Sequence, residues 1–298
     1  MVEAGILDAS GALVGPVDML QRFWRSWRYR LLIAWVVVAI GVISSLPAAA
    51  EVGRFFAGDQ IEAYQLARLS LADEIILGQV IDDQIKQEGL ALHTESPDLV
   101  AFVAGVGQRL VAACDGRAMP YTFQVLEDEG INAFATVGGF IYVNVGLIRA
   151  AENEAELAFV LAHEIGHMVG RHGVHQLWQE LTAQALSQSQ PVKRQTIVDA
   201  GSQLRRLSRS LMDEYDADSL GFHCLGQAGY AQSGVVTILR KIIADERAAA
   251  DLARLHPFLE NRTEQLAHLL ATVARPEAGD GVNRLEYEAR IWPLMQSL

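Results

Sequence analysis

The feature that most constrains this chain is the pentapeptide His163-Glu164-Ile165-Gly166-His167. Apolar residues recur around it at helical spacing, which predicts an amphipathic helix over residues 152–175. Side chains four apart on a helix lie one above the other, so His163 and His167 would direct both imidazoles to one point. Neutral imidazole is a good zinc ligand, and Glu164 would lie beside the open coordination position as a general base. The alternative is that both histidines are ordinary core residues whose hydrogen bonds are made to neighbouring groups. The helical context disfavours this alternative.

A catalytic zinc site needs a third protein ligand and keeps its fourth position open. One option is a third histidine, as in the longer pattern His-Glu-x-x-His-x-x-Gly-x-x-His. This option is excluded, because the last position of that pattern is Gly173 in this sequence and His172 falls one residue short. A downstream carboxylate is the other option, and Glu214 offers one. Asp218, one helical turn later, would accept a hydrogen bond from a ligating imidazole. Alone, this acidic segment fits a solvated helix face equally well, but the histidine pair favours the ligand role.

Helical spacing dominates the rest of the chain after residue 58. Helices are predicted over 59–87, from Pro97 to near Asp115, over 152–175, 211–225 and 235–255. Alternation predicts a strand at 121–126, and two β-prone arms around Gly138-Gly139 predict a hairpin over 131–145. The polar stretch 176–209 fits two helices or a helix with a flexible insert. This order of elements predicts an α+β fold, mostly helical, with a small β-sheet beside the histidine helix.

The first fifty residues have the form of a secretory signal peptide. Four arginines between residues 22 and 30 precede a charge-free apolar run from Leu31 to Ile43, and small residues follow Pro47. We predict cleavage after Ala50. An uncleaved membrane anchor is the alternative, since residues 31–50 hold no charge; either way the rest of the chain lies outside the cytoplasm. A start at Met19 would give a leader of conventional length, a hypothesis that the mass of the precursor decides.

Charge and cysteine content exclude several classes of protein. With 24 lysines and arginines against 36 aspartates and glutamates, the formal net charge is −12, which argues against a nucleic-acid binder and against attraction to anionic lipid. Any membrane contact is therefore expected only through the N-terminal segment. Two cysteines, Cys114 and Cys224, are too few for a disulfide-dense scaffold or a cysteine zinc finger. They could form one bridge in an oxidising compartment, but two buried thiols are the favoured interpretation.

The motifs together resemble those of the gluzincin metallopeptidases that include the HtpX heat-shock protease and the CAAX prenyl proteases. The resemblance is closest to the soluble periplasmic branch of the BepA and LoiP type, and it extends over about residues 74–262. Four segments carry it: Asn132-Ala-Phe-Ala with Gly138-Gly139-Phe-Ile-Tyr-Val, His163 to His167 with Arg171-His172, Glu214-Tyr-Asp-Ala-Asp218, and His256-Pro257 with Arg262. Val137 stands where the family often has proline.

The resemblance implies a zincin-like domain over residues 51–272, after a leader at 1–50 and before a C-terminal tail at 273–298 that packs on the domain. It implies one zinc ion per subunit, held by three ligands, which are His163, His167 and Glu214. Glu164 would be the catalytic base, and Asp218 would support a ligand. His256 and Arg262 would lie near the metal as catalytic donors to the oxyanion. An extended substrate would add to the strand that contains Asn132, Ala133 and Phe134.

The function implied is that of a zinc endopeptidase that cleaves unfolded or misassembled cell-envelope proteins. A zinc-stabilised periplasmic chaperone or adaptor without proteolysis is the rival from another class. The intact Glu164 favours the enzyme, because a pure binding protein has no use for a base beside an open metal position. The glutamine-rich run at 184–192 is interpreted as a plain linker, and the alternative hypothesis is that it forms an insert that gates the cleft.

Overall fold

A computed structural model describes residues 6–7, 13–14, 60–61, 68–114, 117–188, 192–273 and 275–295. The apolar run of the predicted leader and its cleavage site at Ala50 lie outside the described residues. The chain divides into two compact units, residues 1–57 and 58–298. In the first unit, strand β1 (Ile6–Leu7) pairs antiparallel with β2 (Leu13–Val14).

The second unit is mostly helical in its described part, which confirms the predicted α+β class. Its helices are α1 (Leu71–Gln87), α2 (Pro97–Cys114), α3 (Val145–Ala150), α4 (Glu154–Val169), α5 (His172–Gln188), α6 (Arg194–Gln203), α7 (Leu211–Gln227), α8 (Gly234–Ala244), α9 (Glu246–Leu252), α10 (Leu259–Ala271) and α11 (Arg284–Met295), with a 3₁₀ turn at Leu204–Arg206. Its strands are β3 (Gln60–Ile61), β4 (Thr122–Leu126), β5 (Ala133–Ala135), β6 (Phe140–Asn144) and β7 (Val192–Lys193).

A three-stranded sheet lies beside α4, with strand order β4-β6-β5. β5 and β6 form the predicted hairpin, and they turn at Gly138 and Gly139, whose φ angles of 70° and 95° favour glycine. β4 pairs parallel with β6, a neighbour that the alternation pattern does not reveal. β5 is consequently an edge strand. The amide of Thr136 and the carbonyl of Asn132 bond to β6, so the backbone groups of Ala133 and Ala135 face away from the sheet.

α4 packs most extensively against α7, and glycines allow their backbones to approach closely. A Cβ added at Gly166 of α4 would lie 2.7 Å from the carbonyl oxygen of Ala217 on α7. One added at Gly221 of α7 would lie 2.9 Å from the backbone nitrogen of His163. This close contact places the carboxylates of α7 within reach of the histidines on α4.

Several predicted element bounds are wrong, for local reasons. The first helix begins at Leu71 rather than 59, because Ser70 caps it by accepting from the amide of Asp73. Residues 152–175 form two helices, since Arg171 takes a left-handed φ of 57° between α4 and α5. α5 extends to Gln188, so most of the glutamine-rich run is helical, as its good helix formers permit. The helix predicted over 235–255 divides at Asp245, whose side chain caps α9.

One described helix, α2, is long and apolar enough to cross a membrane by length and composition alone. Six of its residues are buried, and five of them belong to the main hydrophobic core: Leu99, Phe102, Val103, Val106 and Leu110. The core therefore accounts for its apolar character. α2 also bears Cys114 at its C-terminal end.

Cys114 and Cys224 form a disulfide bridge, so the favoured interpretation of two free thiols is wrong. The bridge joins the end of α2 to α7, and the Cα atoms lie 5.3 Å apart across a sequence separation of 110 residues. The sequence left the bridge as the alternative and could not decide for it, because the two cysteines meet only through the packing of two helices. Persistent bridges of this kind are typical of exported proteins.

Replacing both cysteines by serine is expected to destabilise the protein by about 2–4 kcal/mol, because the unfolded chain loses a long covalent loop. Urea unfolding of the double variant and the wild type, both under oxidising conditions, measures the difference. Equal stabilities would show that the bridge does not form in solution.

Candidate metal centre

α4 carries the histidine pair on one buried face. Asn153 caps its N-terminus by accepting from the amide of Glu156, and the apolar neighbours Leu157, Leu161 and Ile165 are fully buried. His163 and His167 are themselves buried, and their Nε2 atoms lie 3.0 Å apart. The spacing of four residues thus brings the two imidazoles to one point, as predicted.

α7 brings Glu214 to the same point. Ser210 caps this helix by accepting from the amide of Asp213, so Glu214 lies in the first turn with no exposed surface. Its carboxylate oxygens lie 3.6 Å from His163 Nε2 and 3.4 Å from His167 Nε2. Ligands at zinc distances on a tetrahedron are separated by about 3.4 Å. Two imidazoles and a carboxylate at these separations therefore fit one zinc ion.

In the metal-free cluster, His167 is neutral and Glu214 is ionised. Burial lowers the pKa of His167 well below its ordinary value, which keeps the imidazole neutral. Burial alone would raise the pKa of Glu214, but the charges of His256 and Arg262 and hydrogen bonds from His167 and His256 outweigh it. The pKa of Glu214 is consequently held far below its usual range, and the carboxylate is ionised.

Asp218 accepts from the outer nitrogen of His163, as predicted. The distance from His163 Nδ1 to Asp218 Oδ1 is 2.9 Å, which leaves Nε2 of His163 to face Glu214. Arg262 on α10 donates two hydrogen bonds of 2.8 Å to the carboxylate of Asp218, from Nε and Nη2. Its Nη1 lies 2.7 Å from Glu214 Oε2. Arg262 is therefore occupied by two carboxylates. This geometry favours a positioning role over the predicted oxyanion donor.

His256 joins the cluster from the segment before α10. Its Nδ1 lies 3.2 Å from both His163 Nε2 and Glu214 Oε1. One donor atom each from His163, His167, Glu214 and His256 lies within 4.8 Å of the others, a group that could hold a metal ion. Burial lowers the pKa of His256, but Glu214 and Glu164 outweigh that effect and raise it.

Glu164 lies beside the cluster. Its Oε1 is 3.4 Å from His256 Nε2, while its buried Oε2 has no hydrogen-bond partner among the described residues. A small cleft opens here, and it has a polar end formed by Glu164, His163, His256 and Arg262. Its remaining wall is mostly apolar: Ala133, Leu147, Phe159, Val160, Leu239, Ile242 and Leu252.

The predicted substrate strand reaches this cleft at one end only. Asn132 and Ala133 line the cleft, whereas Phe134 stacks on Tyr142 with ring centres 4.6 Å apart. The outward carbonyl of Ala135 accepts a hydrogen bond of 3.0 Å from Arg209, a buried guanidinium. The backbone of Ala133 is therefore the part of the edge that a peptide in the cleft can pair with.

Sequence reasoning missed two buried residues near the cluster. His172 falls one residue short of the third-histidine position in the sequence, yet its Nδ1 is 2.8 Å from Nδ1 of His167. A straight helix cannot make this contact five residues on; the left-handed Arg171 creates it. Arg209 was noted only as the end of a polar stretch. Its position immediately before the capped, acidic start of α7 was the one available signal.

A family model described as Peptidase family M48 matches residues 101–270, more than half of the chain. A beta-barrel assembly-enhancing protease of Escherichia coli K12 is 28% identical over 212 residues, which are 65% of this chain and 43% of that protein. A mitochondrial metalloendopeptidase OMA1 of Arabidopsis thaliana is 27% identical over 194 residues, covering 63% of this chain and 37% of the relative. The OMA1 of Schizosaccharomyces pombe is 27% identical over 207 residues, with coverages of 66% and 59%. The matched part of the chain spans less than half the length of the Escherichia coli and Arabidopsis thaliana relatives.

Proposed function

Because this chain belongs to peptidase family M48, we propose that it is a zinc endopeptidase that cleaves unfolded or misassembled cell-envelope proteins. Family membership confirms the resemblance that the motifs predicted and, at the level of the family, the prediction of a metal-dependent peptidase. The observation that carries the proposal is the convergence of His163, His167 and Glu214 on one point with Glu164 beside it.

The proposed ligands are His163, His167 and Glu214, and bound zinc would polarise the scissile carbonyl and lower the pKa of water towards about 7. Glu164 takes the proton of the attacking water and later delivers it to the leaving amine. Its unpartnered Oε2 is available for that proton. His256, which is buried between Glu164 and Glu214, is proposed as the donor to the developing oxyanion.

The cleft indicates how a peptide would bind. An extended segment can pair with the outward backbone groups of Ala133, and such hydrogen bonds do not depend on side chains. The carbonyl of Ala135 is already taken by Arg209, so pairing would end there. The apolar wall formed by residues such as Phe159, Leu239 and Ile242 fits an apolar side chain next to the scissile bond. Unfolded proteins expose such side chains, and this supports the proposed substrate class.

Two observations support an exported location. The leader pattern predicts export, and the Cys114–Cys224 bridge is of the kind that persists in oxidising compartments. The beta-barrel assembly-enhancing proteases of bacteria are, by their name, proteases that enhance the assembly of beta-barrels, and a related role in the envelope is proposed here. N-terminal sequencing of the mature protein distinguishes cleavage after Ala50 from retention as an anchor.

Removing the metal is expected to abolish hydrolysis of an unfolded substrate such as casein, since Glu164 alone cannot activate water for peptide cleavage. Activity is measured after dialysis against a chelator and again after one equivalent of zinc is added, which should restore it. Circular dichroism before and after dialysis serves as the folding control. Full activity in metal-free protein would contradict the proposal, and zinc binding without any cleavage would favour the chaperone or adaptor.

A further inference from the structure

We propose that His172 and Asp216 form a hydrogen-bond chain that positions His167 for metal binding. His172 is thus a positioning residue, acting through His167 rather than on the substrate. The inference rests on the proposed function, because it concerns the ligand set of the same metal. This hydrogen-bond chain parallels the support that Asp218 gives to His163, except that His172 of α5 lies between the ligand and the carboxylate of α7.

The contacts are short, and the central residue is buried. His167 Nδ1 lies 2.8 Å from His172 Nδ1, with the two rings nearly perpendicular at 76°. His172 Nε2 lies 3.2 Å from a carboxylate oxygen of Asp216 on α7. A second carboxylate, that of Asp213, is 3.8 Å from the same nitrogen. Although Asp216 is half exposed, His172 is only 6% exposed, so its hydrogen bonds are shielded from water.

Only one arrangement of protons satisfies all these atoms when His167 binds a metal. Nε2 of His167 faces Glu214 and His163 and must present a lone pair, so its Nδ1 carries the proton. That N–H donates to Nδ1 of His172, whose own proton therefore resides on Nε2 and donates to Asp216. Partners of this kind fix the tautomer and the ring plane of a metal-binding imidazole and increase its basicity.

The backbone between the two helices is built to bring His172 back to His167. Arg171 adopts a left-handed φ of 57°, and two contacts of its side chain hold it there. Its Nε lies 3.1 Å from the buried carboxylate of Glu74, and its Nη2 donates to the carbonyl of Leu69. The unfavourable conformation is thus stabilised from α1, which indicates that the return of His172 is a property of the fold.

Gly170, the residue before Arg171, packs tightly against the hydrogen-bonded pair His172 and Asp216. A Cβ added at Gly170 would overlap the imidazole of His172 and approach the carboxylate of Asp216 to 3.0 Å. The φ of Gly170 is −70°, an ordinary helical value that any residue can adopt. Space for the His172–Asp216 pair, rather than backbone freedom, therefore requires glycine here. Gly170→Ala would disturb the chain without removing a polar group.

Zinc affinity of the full chain, measured by competition with a fluorescent chelator, tests the proposal. His172→Leu is expected to weaken zinc binding by about 10–100-fold. His172→Asn should restore most of the affinity, because its amide oxygen can accept from Nδ1 of His167. Asp216→Ala and Gly170→Ala should weaken binding in the same direction. The matched control is His175→Leu, an exposed histidine of the same helix, which should bind zinc as the wild type does.

Thermal unfolding of the metal-free variants distinguishes loss of the hydrogen-bond chain from loss of the fold. Because Asp216 is half exposed, Asp216→Ala carries little risk to folding. Wild-type affinity in both His172→Leu and Asp216→Ala would overturn the inference and leave the proposed function intact. Equal losses of zinc affinity in His172→Leu and His172→Asn would also overturn the inference. They would show that a hydrogen-bond acceptor for Nδ1 of His167 at residue 172 does not matter. A wild type that binds no zinc would overturn the proposed function itself.

Discussion

Glu164→Gln is expected to lower kcat for peptide hydrolysis by about 10²–10⁴-fold, the contribution typical of a general acid–base group. Glutamine fills the same volume in the cleft but cannot take a proton from water. Because Glu164 is not one of the three proposed ligands, the zinc content of the variant should equal that of the wild type. Initial rates on a fluorogenic peptide, together with the metal content of the same samples, measure both quantities.

Glu180→Gln, on the exposed surface of α5, is the matched control and should retain full activity. Retained activity in Glu164→Gln would refute the assignment of the base. Loss of zinc together with activity would instead show that Glu164 holds the metal, directly or through a neighbour. The unpartnered Oε2 of Glu164 argues for the base, because a structural carboxylate this deeply buried would normally have hydrogen-bond donors.

Arg262→Met is expected to destabilise the metal-free protein by about 3–5 kcal/mol, the usual cost of removing one partner from a buried ion pair. Methionine replaces the apolar stem but removes the guanidinium that bridges the carboxylates of Asp218 and Glu214, and neither carboxylate has exposed surface. Asp218 would lose the cation that pairs with it, and Glu214 would keep the charge of His256 but lose that of Arg262. Chemical unfolding by urea, followed by circular dichroism, gives the free energy of unfolding.

Arg284→Met is the matched control for this prediction. Arg284 pairs with Glu288 at 2.7 Å on the surface of α11, and its side chain is 60% exposed. Surface ion pairs contribute about 0–1 kcal/mol, so this variant should unfold nearly as the wild type does. A change of less than about 1 kcal/mol in Arg262→Met would show that the buried network does not depend on its guanidinium.

Helical periodicity predicted which side chains of each helix share one face. The spacing of His163 and His167 fixes their common direction, and the spacing of Glu214 and Asp218 places both carboxylates on one face of α7. These relations depend only on the local helical geometry, so they can be predicted without knowledge of the tertiary structure. The meeting of the two helices was inferred from chemistry, and the close approach at Gly166 and Gly221 explains it.

The contacts that sequence reasoning missed are those that depend on turns and on distant packing. His172 reaches His167 only because Arg171 takes a left-handed conformation, which no periodic pattern predicts. Cys114 and Cys224 meet through the packing of α2 on α7, 110 residues apart in sequence. Arg262 was expected near the metal, but its engagement by two carboxylates became evident only when α10 was in place.

The central claim is that His163, His167 and Glu214 hold one zinc ion. Zinc per chain, measured by mass spectrometry together with peptide hydrolysis in wild type and Glu214→Gln, tests it most directly. We expect one zinc ion and full activity in the wild type, and a large loss of both in the variant, because an amide is a much poorer ligand than a carboxylate. Undiminished zinc content and hydrolysis in Glu214→Gln would contradict it.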